Sequence, residues 1–113
     1  MQKIRPCLWY DHVGEEAASF YVTLLPDSRI DNVVRSPADN PSMKEGGVLV
    51  VEFTLAGQQY IALNGGPHFK FNEAISLQVL TENQEETDRL WEALTANGGE
   101  ESQCGWLKDR WGL

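Results

Sequence analysis

The stretch VLVVEFTLAGQQYIALN, residues 48–64, decides the fold of this chain. Both of its halves are rich in the branched and aromatic residues that favour β-strands. Between them lies Ala56-Gly57-Gln58, where a glycine permits the chain to reverse. The stretch therefore predicts a β-hairpin with its turn at these three residues.

Strands and helices alternate around this hairpin. Short apolar runs predict strands at RPCLWY, SRIDNVVRS and AISLQVL, the last at residues 74–80. Helical periodicity appears in VGEEAASFYVTLL, which Pro26 ends, and in NQEETDRLWEALTANGG, where Asn83 and Glu86 form a capping pair. A polar stretch at residues 37–47 predicts a loop. The order is β-α-β-β-β, followed by a second, incomplete copy of the same pattern.

Composition restricts the partners. The chain has 113 residues and a net charge of -8, which corresponds to one acidic domain. Such a surface repels nucleic acid and anionic membranes, so we expect neither. No run is apolar enough to span a bilayer, and the N-terminus has no signal-peptide core. The two cysteines, Cys7 and Cys104, match no metal-binding spacing. We expect a cytoplasmic protein with free thiols.

The glycine-rich stretch ALNGGPHFKFNEAIS, residues 62–76, joins the two copies. It does not match the phosphate-binding pattern GxxxxGK[ST], so it predicts a linker. His68 is a candidate general base because imidazole titrates near neutral pH. Its neighbours in sequence supply no catalytic constellation, and a structural or surface role is the other interpretation.

Several segments resemble one family over nearly the whole chain. Two βαβββ units in a short chain are similar to the vicinal oxygen chelate superfamily, which contains glyoxalases, bleomycin-resistance proteins and extradiol dioxygenases. Its PhnB-like branch, often labelled demethylubiquinone methyltransferase-like, is the closer resemblance. The segments that carry it are RPCLWYD, EEAASFYVTLLPDSRI, VEFTLAGQQYIALNGGPHFKFNEAISLQV, RLWEAL and CGWLKDRWGL.

The resemblance implies an α+β fold in which two βαβββ units form a curved mixed sheet around a cavity, with helices outside. One domain, residues 1–113, would contain a first unit at about 3–66 and a second at about 73–113. Relatives continue past a DRWGL-type segment with one more strand, whereas Leu113 is the last residue here. We therefore expect the second unit to lack its last strand and the protein to be a homodimer, because an unpaired edge favours association.

In the implied fold, alternate residues of each strand face the helices or the cavity. An apolar set is assigned to the helix side, comprising Pro6, Leu8, Tyr10, Leu49, Val51, Phe53, Leu55, Ile61, Leu63, Ile75, Leu77 and Val79. The more polar remainder is predicted to line the ligand cavity, with Trp106 at one end: Arg5, Cys7, Trp9, Glu52, Tyr60, Asn64 and Gln78.

By the same resemblance, metal-dependent relatives bind their ion with His, Gln or Glu from the first and last strands of each unit. The matching positions fall at or near Arg5, Ala74, and Ala62 or Asn64. Arginine stays protonated and alanine has no donor atom, so we expect no metal and no cofactor. No glycine-rich turn follows a strand as S-adenosylmethionine chemistry usually requires, so we interpret the methyltransferase label as a name only.

These expectations favour metal-free binding of a small, partly apolar ligand, with bleomycin-resistance proteins as the analogy. Arg5 and Glu52 are either a ligand-holding charge pair or a structural ion pair. Cys7 is either a reactive thiol or a small buried hydrophobe.

Three alternatives stay open. A metal-dependent lyase, isomerase or dioxygenase would place a divalent ion at Glu52, Asn64 or His68. A metal-free enzyme would use Glu52 or His68 as its base. An interaction protein would instead have a filled core, packed with Trp9 and Trp106.

Overall fold

The computed structural model describes residues 2–39 and 44–113 and divides into two units. The first unit contains a four-stranded mixed sheet and one helix. The first unit extends to Lys70 and the second begins at Phe71. Part of the loop predicted at residues 37–47 lies outside the described residues. Within the described ranges, no helix has both the length and the apolar character needed to cross a bilayer.

The elements of the first unit follow the predicted order. They are β1 (Cys7–Tyr10), α1 (Gly14–Tyr21), β2 (Arg29–Arg35), β3 (Val48–Leu55) and β4 (Gln58–Asn64). The strands lie in the order β1-β4-β3-β2, so that β1 and β2 are the two edges. β1 is parallel to β4, whereas β3 is antiparallel to both of its neighbours. The first unit is thus a mixed α+β structure.

The helix packs on one face of the sheet and forms the core with it. Val51 and Phe53 of β3 are fully buried, as predicted for the helix side. Leu8 and Tyr10 are buried on the same face, where the hydroxyl of Tyr10 lies 2.9 Å from that of Tyr21 in α1. The ring of Tyr21 stacks on Phe53 with 6.3 Å between centroids, so aromatic contacts join helix and sheet.

The first helix is shorter than predicted. It ends at Tyr21, and the backbone N–H groups of Thr23 and Leu24 then bond three residues back, in tighter turns that precede Pro26. Glu15 and Glu16 lie in its first turn as expected, where the helix dipole favours negative charge.

The β3–β4 hairpin differs from the predicted one by a single residue. Leu55 pairs directly with Gln58, so the turn contains only Ala56 and Gly57, with φ angles of 47° and 83°. Two positive φ values in a two-residue loop are typical of a type I′ turn. Shortening the turn by one residue reverses the face of every side chain on the second strand. The prediction for the faces of β4 is therefore wrong.

The second unit contains less regular structure than predicted. Its elements are α2 (Gln84–Thr95), a 3-10 turn (Ala96–Gly98), and the two-residue strands β5 (Glu100–Glu101) and β6 (Leu107–Lys108). The side chain of Asn83 accepts a hydrogen bond from the backbone N–H of Glu86 at 2.8 Å, which confirms the predicted cap. Residues 74–80 form no strand, because a strand requires a neighbour to complete its ladder and no described residue pairs with them.

Candidate functional site

The sheet face opposite α1 brings together most of the predicted site on the first unit. We call this surface the far face; its members are Cys7 and Trp9 on β1, Val50 and Glu52 on β3, and Ile61 and Leu63 on β4. Register aligns them in two rows across the sheet. One row runs Cys7, Ile61, Glu52, and the other Trp9, Leu63, Val50. The middle of the far face is therefore apolar, and polar groups stand at its margins.

An ion pair forms the polar end of the far face. Nη1 of Arg5 lies 3.5 Å from Oε1 of Glu52, and each side chain is about one-third exposed, at 33% and 34%. This separation is longer than a well-formed charge-assisted hydrogen bond. A guanidinium carries five N–H donors, so Arg5 retains donors for a further acceptor such as a carboxylate or phosphate.

An aromatic pair forms the other end. The indole N–H of Trp9 donates to the carbonyl oxygen of Gly66 at 2.9 Å, and Phe69 packs edge-on against the Trp9 ring with 4.8 Å between centroids. Gly65 permits this contact, because a Cβ there would lie 2.3 Å from the indole. Phe69 remains 65% exposed. The glycine-rich stretch is thus more than a linker, since it holds Trp9 in place.

The two-residue turn moves Tyr60 and Asn64 away from the predicted cavity. Tyr60 pairs with Phe53 on the helix-covered face, with 5.4 Å between stacked ring centroids. Burial there raises the pKa of the Tyr60 phenol above its ordinary value. Asn64 is buried, accepts a hydrogen bond from the backbone N–H of Gly14 and donates one to the carbonyl of Val48. It holds the start of α1, a role that the sequence analysis missed.

The remaining predicted residues are exposed. Cys7 is exposed, so its interpretation as a buried hydrophobe is wrong, and both cysteines are free thiols. His68 is exposed on the loop after β4. In the second unit, Gln78 lies in the segment that forms no strand, and Trp106 is half-exposed. Four of the predicted site residues thus lie together: Cys7, Trp9 and Glu52 on the far face, and Arg5 beside it through its ion pair with Glu52.

Two other features of the described ranges bear on the site. The described ranges contain no group of three or more His, Cys, Asp or Glu side chains placed to hold a metal ion. A depression of about 410 Å³ lies near the β3–β4 turn, lined by Gln2, Asp27, Arg29, Thr54, Gly57 and Gln59. Its lining is polar, unlike the apolar walls that usually hold partly apolar ligands.

Comparison with known proteins identifies the family. The model of the 3-demethylubiquinone-9 3-methyltransferase family matches residues 2–113. This chain belongs to that family. A PhnB protein from Bacillus cereus, provisionally described as a 3-demethylubiquinone-9 3-methyltransferase, is 33% identical and has a TM-score of 0.86. The alignment covers 99% of this chain and 95% of the other, so the predicted PhnB-like resemblance is confirmed.

A second solved structure shows the same fold. The Pseudomonas aeruginosa protein PA1353 is 19% identical, with a TM-score of 0.77, and the match covers 100% of this chain and 93% of that one. No curated protein matches this chain. The comparisons therefore establish family and fold, and the chemistry must be argued from the far face.

Proposed function

We propose that this protein binds a small, partly apolar ligand on the far face of its first sheet, without a metal ion. Its charged groups and its aromatic groups stand at opposite margins. A ligand with one anionic end and one planar end would match this arrangement. Arg5 offers donors at one margin and the Trp9–Phe69 pair offers aromatic surface at the other.

A single observation carries this proposal. The Arg5–Glu52 pair stands at 3.5 Å with both side chains partly exposed, and Glu52 pairs in register with Ile61, one of the two apolar residues of β4 on the far face. A purely structural ion pair gains little at such exposure. A ligand carboxylate would bring the guanidinium a closer and better-oriented partner than Glu52 provides.

The same proposal places the protein within the vicinal oxygen chelate superfamily and apart from S-adenosylmethionine methyltransferases. The strand order β1-β4-β3-β2, with a single parallel pair, supports this placement. Nucleotide-like cofactors of that kind usually bind at the carboxyl ends of a doubly wound parallel sheet. The metal-free mode is supported by Arg5, whose cationic side chain stands beside Glu52 and would repel a divalent ion.

Titration with naphthoate, an anionic planar probe, tests the proposal. Nuclear magnetic resonance should show shift changes concentrated on the far face, including the indole N–H of Trp9. The variant Arg5→Gln should weaken binding about tenfold, as loss of a charged hydrogen bond predicts. Lys44→Gln, at an exposed cationic residue in the loop before β3, is the control and should leave binding unchanged. Shift changes scattered over the surface, or equal effects of the two variants, would refute the proposal.

A further inference from the structure

The chain contains the tripeptide Asn-Gly-Gly twice, at residues 64–66 and 97–99. An asparagine followed by glycine is open to an internal reaction, because glycine has no side chain to shield its backbone nitrogen from the neighbouring amide. The three residues are identical at the two sites. A difference in reactivity between the sites therefore reports on the structure that surrounds them.

The first site is held at both of its reacting groups. Asn64 is 3% exposed, and its side chain accepts a hydrogen bond from the N–H of Gly14 at 2.8 Å and donates one to the carbonyl of Val48 at 2.9 Å. The backbone N–H of Gly65 donates to the carbonyl oxygen of Tyr10 at 3.1 Å. A reaction at this site would require all three bonds to break, and such opening of a core element is costly.

The second site is exposed and stands at the end of a helix. Asn97 and Gly98 are the last two residues of the 3-10 turn that follows α2, and both are exposed. Within the described ranges, the side-chain amide of Asn97 makes no hydrogen bond. Helices fray from their ends, where short 3-10 turns are common, so this site opens far more readily than the first.

The backbone angles of the second site explain why these residues occur there. Asn97 has a φ of 57° and a ψ of 40°, and Gly98 has a φ of 108°. Asparagine is among the few residues other than glycine that adopt the left-handed region readily. The turn that ends α2 thus favours an asparagine followed by a glycine, and it places this reactive pair on the surface.

We propose that Asn97 is a modification site that loses its amide group spontaneously, whereas Asn64 keeps its own. The backbone nitrogen of Gly98 attacks Cγ of Asn97 and forms a new C–N bond. The bond from Cγ to the side-chain nitrogen breaks, and that nitrogen leaves as ammonia with the proton of the Gly98 N–H. Water then opens the resulting cyclic imide at either carbonyl. The products are aspartate and isoaspartate, and water is the only co-reactant.

The modification acts on a close contact within the second unit. A Cβ on Gly99 would lie 2.6 Å from the carbonyl oxygen of Leu94 and 2.9 Å from that of Lys108. The backbone of Gly99 therefore fits tightly between the end of α2 and β6. Isoaspartate at position 97 lengthens the backbone beside this contact, and aspartate adds a negative charge at the end of a helix, where the dipole disfavours it. Both products thus loosen the packing of α2 on the β5–β6 hairpin.

Peptide mapping of native protein stored in mildly alkaline buffer tests the site. Trypsin releases residues 45–70, which include Asn64, and residues 90–108, which include Asn97. The mass change from amide to acid should accumulate in peptide 90–108 at least about tenfold faster than in peptide 45–70, because opening of a core element costs more than fraying. A protease that cleaves before aspartate distinguishes the products, since it does not cut at isoaspartate. Equal rates at the two sites, or no conversion of Asn97, would overturn the proposal.

Unfolded protein supplies the control. In guanidinium chloride the two sites should convert at equal rates, because their immediate sequences are identical. A continued preference for Asn97 would show that local sequence selects the site, which contradicts the role given to the structure. Asn72 is exposed and is followed by Glu73, so it should stay intact in native and unfolded protein. Conversion of Asn72 at the rate of Asn97 would contradict the requirement for glycine.

The variant Asn97→Gly tests the effect on the second unit. It has no amide to lose, and glycine adopts the left-handed turn freely. Hydrogen exchange is measured by mass spectrometry before and after storage. Stored wild type should lose protection at residues 94–108 and keep it at residues 48–64, whereas Asn97→Gly should keep protection in both. Unchanged protection in converted wild type, or an equal loss in the variant, would overturn the proposed loosening. These outcomes are independent of ligand binding at the far face.

Discussion

The side-chain oxygen of Asn64 lies 2.8 Å from the backbone nitrogen of Gly14 and accepts its hydrogen bond. The amide of Asn64 also donates to the carbonyl oxygen of Val48 at 2.9 Å. One buried side chain thus joins the start of α1 to β3 and β4. Because the first N–H groups of a helix have no partner within it, Asn64 serves in place of a capping residue.

Replacing Asn64 should destabilise the first unit. Asn64→Ala leaves the N–H of Gly14 and the carbonyl of Val48 without these partners, and a cost of about 2 kcal/mol in the free energy of unfolding is expected. Urea denaturation measures it. Asn32→Ala, at an exposed position on β2, is the matched control and should change stability by less than about 0.5 kcal/mol. Equal losses in both variants would contradict the role given to Asn64.

The contact between Gly65 and Trp9 gives a second prediction. Gly65→Ala would place a methyl group 2.3 Å from the indole, so the ring must move, and stability should fall by about 2 kcal/mol. In a Trp9→Leu background the same substitution should cost much less, because the ring is gone. The double-mutant cycle, measured by denaturation, isolates this contact. Additive effects of the two substitutions would show that the close approach of Gly65 to the indole does not cause the loss of stability.

The hairpin turn gives a third prediction. Ala56 adopts a φ of 47°, a left-handed conformation that asparagine tolerates better than alanine. Ala56→Asn should therefore stabilise the protein by about 1 kcal/mol. Ala38→Asn, at another exposed alanine outside the left-handed region, should bring no gain. Thermal denaturation of the two variants tests this prediction. Equal midpoint temperatures would argue against the two-residue turn.

That turn also explains why the side-chain faces of β3 could be predicted from sequence and those of β4 could not. The faces of β1 and β3 follow from alternation alone, and Leu8, Tyr10, Val51 and Phe53 are buried as expected. The face of β4 depends on the length of the turn. Asn-Gly would have indicated a two-residue loop, whereas Ala-Gly gives no such signal. One extra residue in the predicted turn was enough to misplace Tyr60, Asn64 and their neighbours.

The segment at residues 74–80 marks the other limit of prediction from sequence. Its alternation predicts a strand, and this prediction is wrong because a strand forms only with a partner. Pairing depends on residues far away in sequence or in another molecule, which local periodicity cannot reveal. By contrast, the Asn83 cap was predictable, because its hydrogen bond to Glu86 spans only three residues.

The burial of Tyr60 predicts a pH dependence of stability. Its pKa is raised in the folded state above the ordinary value of about 10 that applies when unfolded. The neutral phenol is therefore favoured by folding, and this contribution is fully present below about pH 10 and is lost as pH rises through the folded pKa. The wild type should thus lose more stability than Tyr60→Phe between about pH 9 and pH 11. Urea denaturation at both pH values checks this; a pH-independent difference between the two proteins would contradict it.

The central claim is that the far face of the first sheet binds a small organic ligand without a metal. Native mass spectrometry of freshly purified protein, with elemental analysis of the same sample, tests it most directly. We predict that an organic molecule copurifies with the wild type, that Arg5→Gln loses it, and that no stoichiometric divalent ion is present. A stoichiometric divalent ion, or equal ligand occupancy in the wild type and in Arg5→Gln, would contradict the claim.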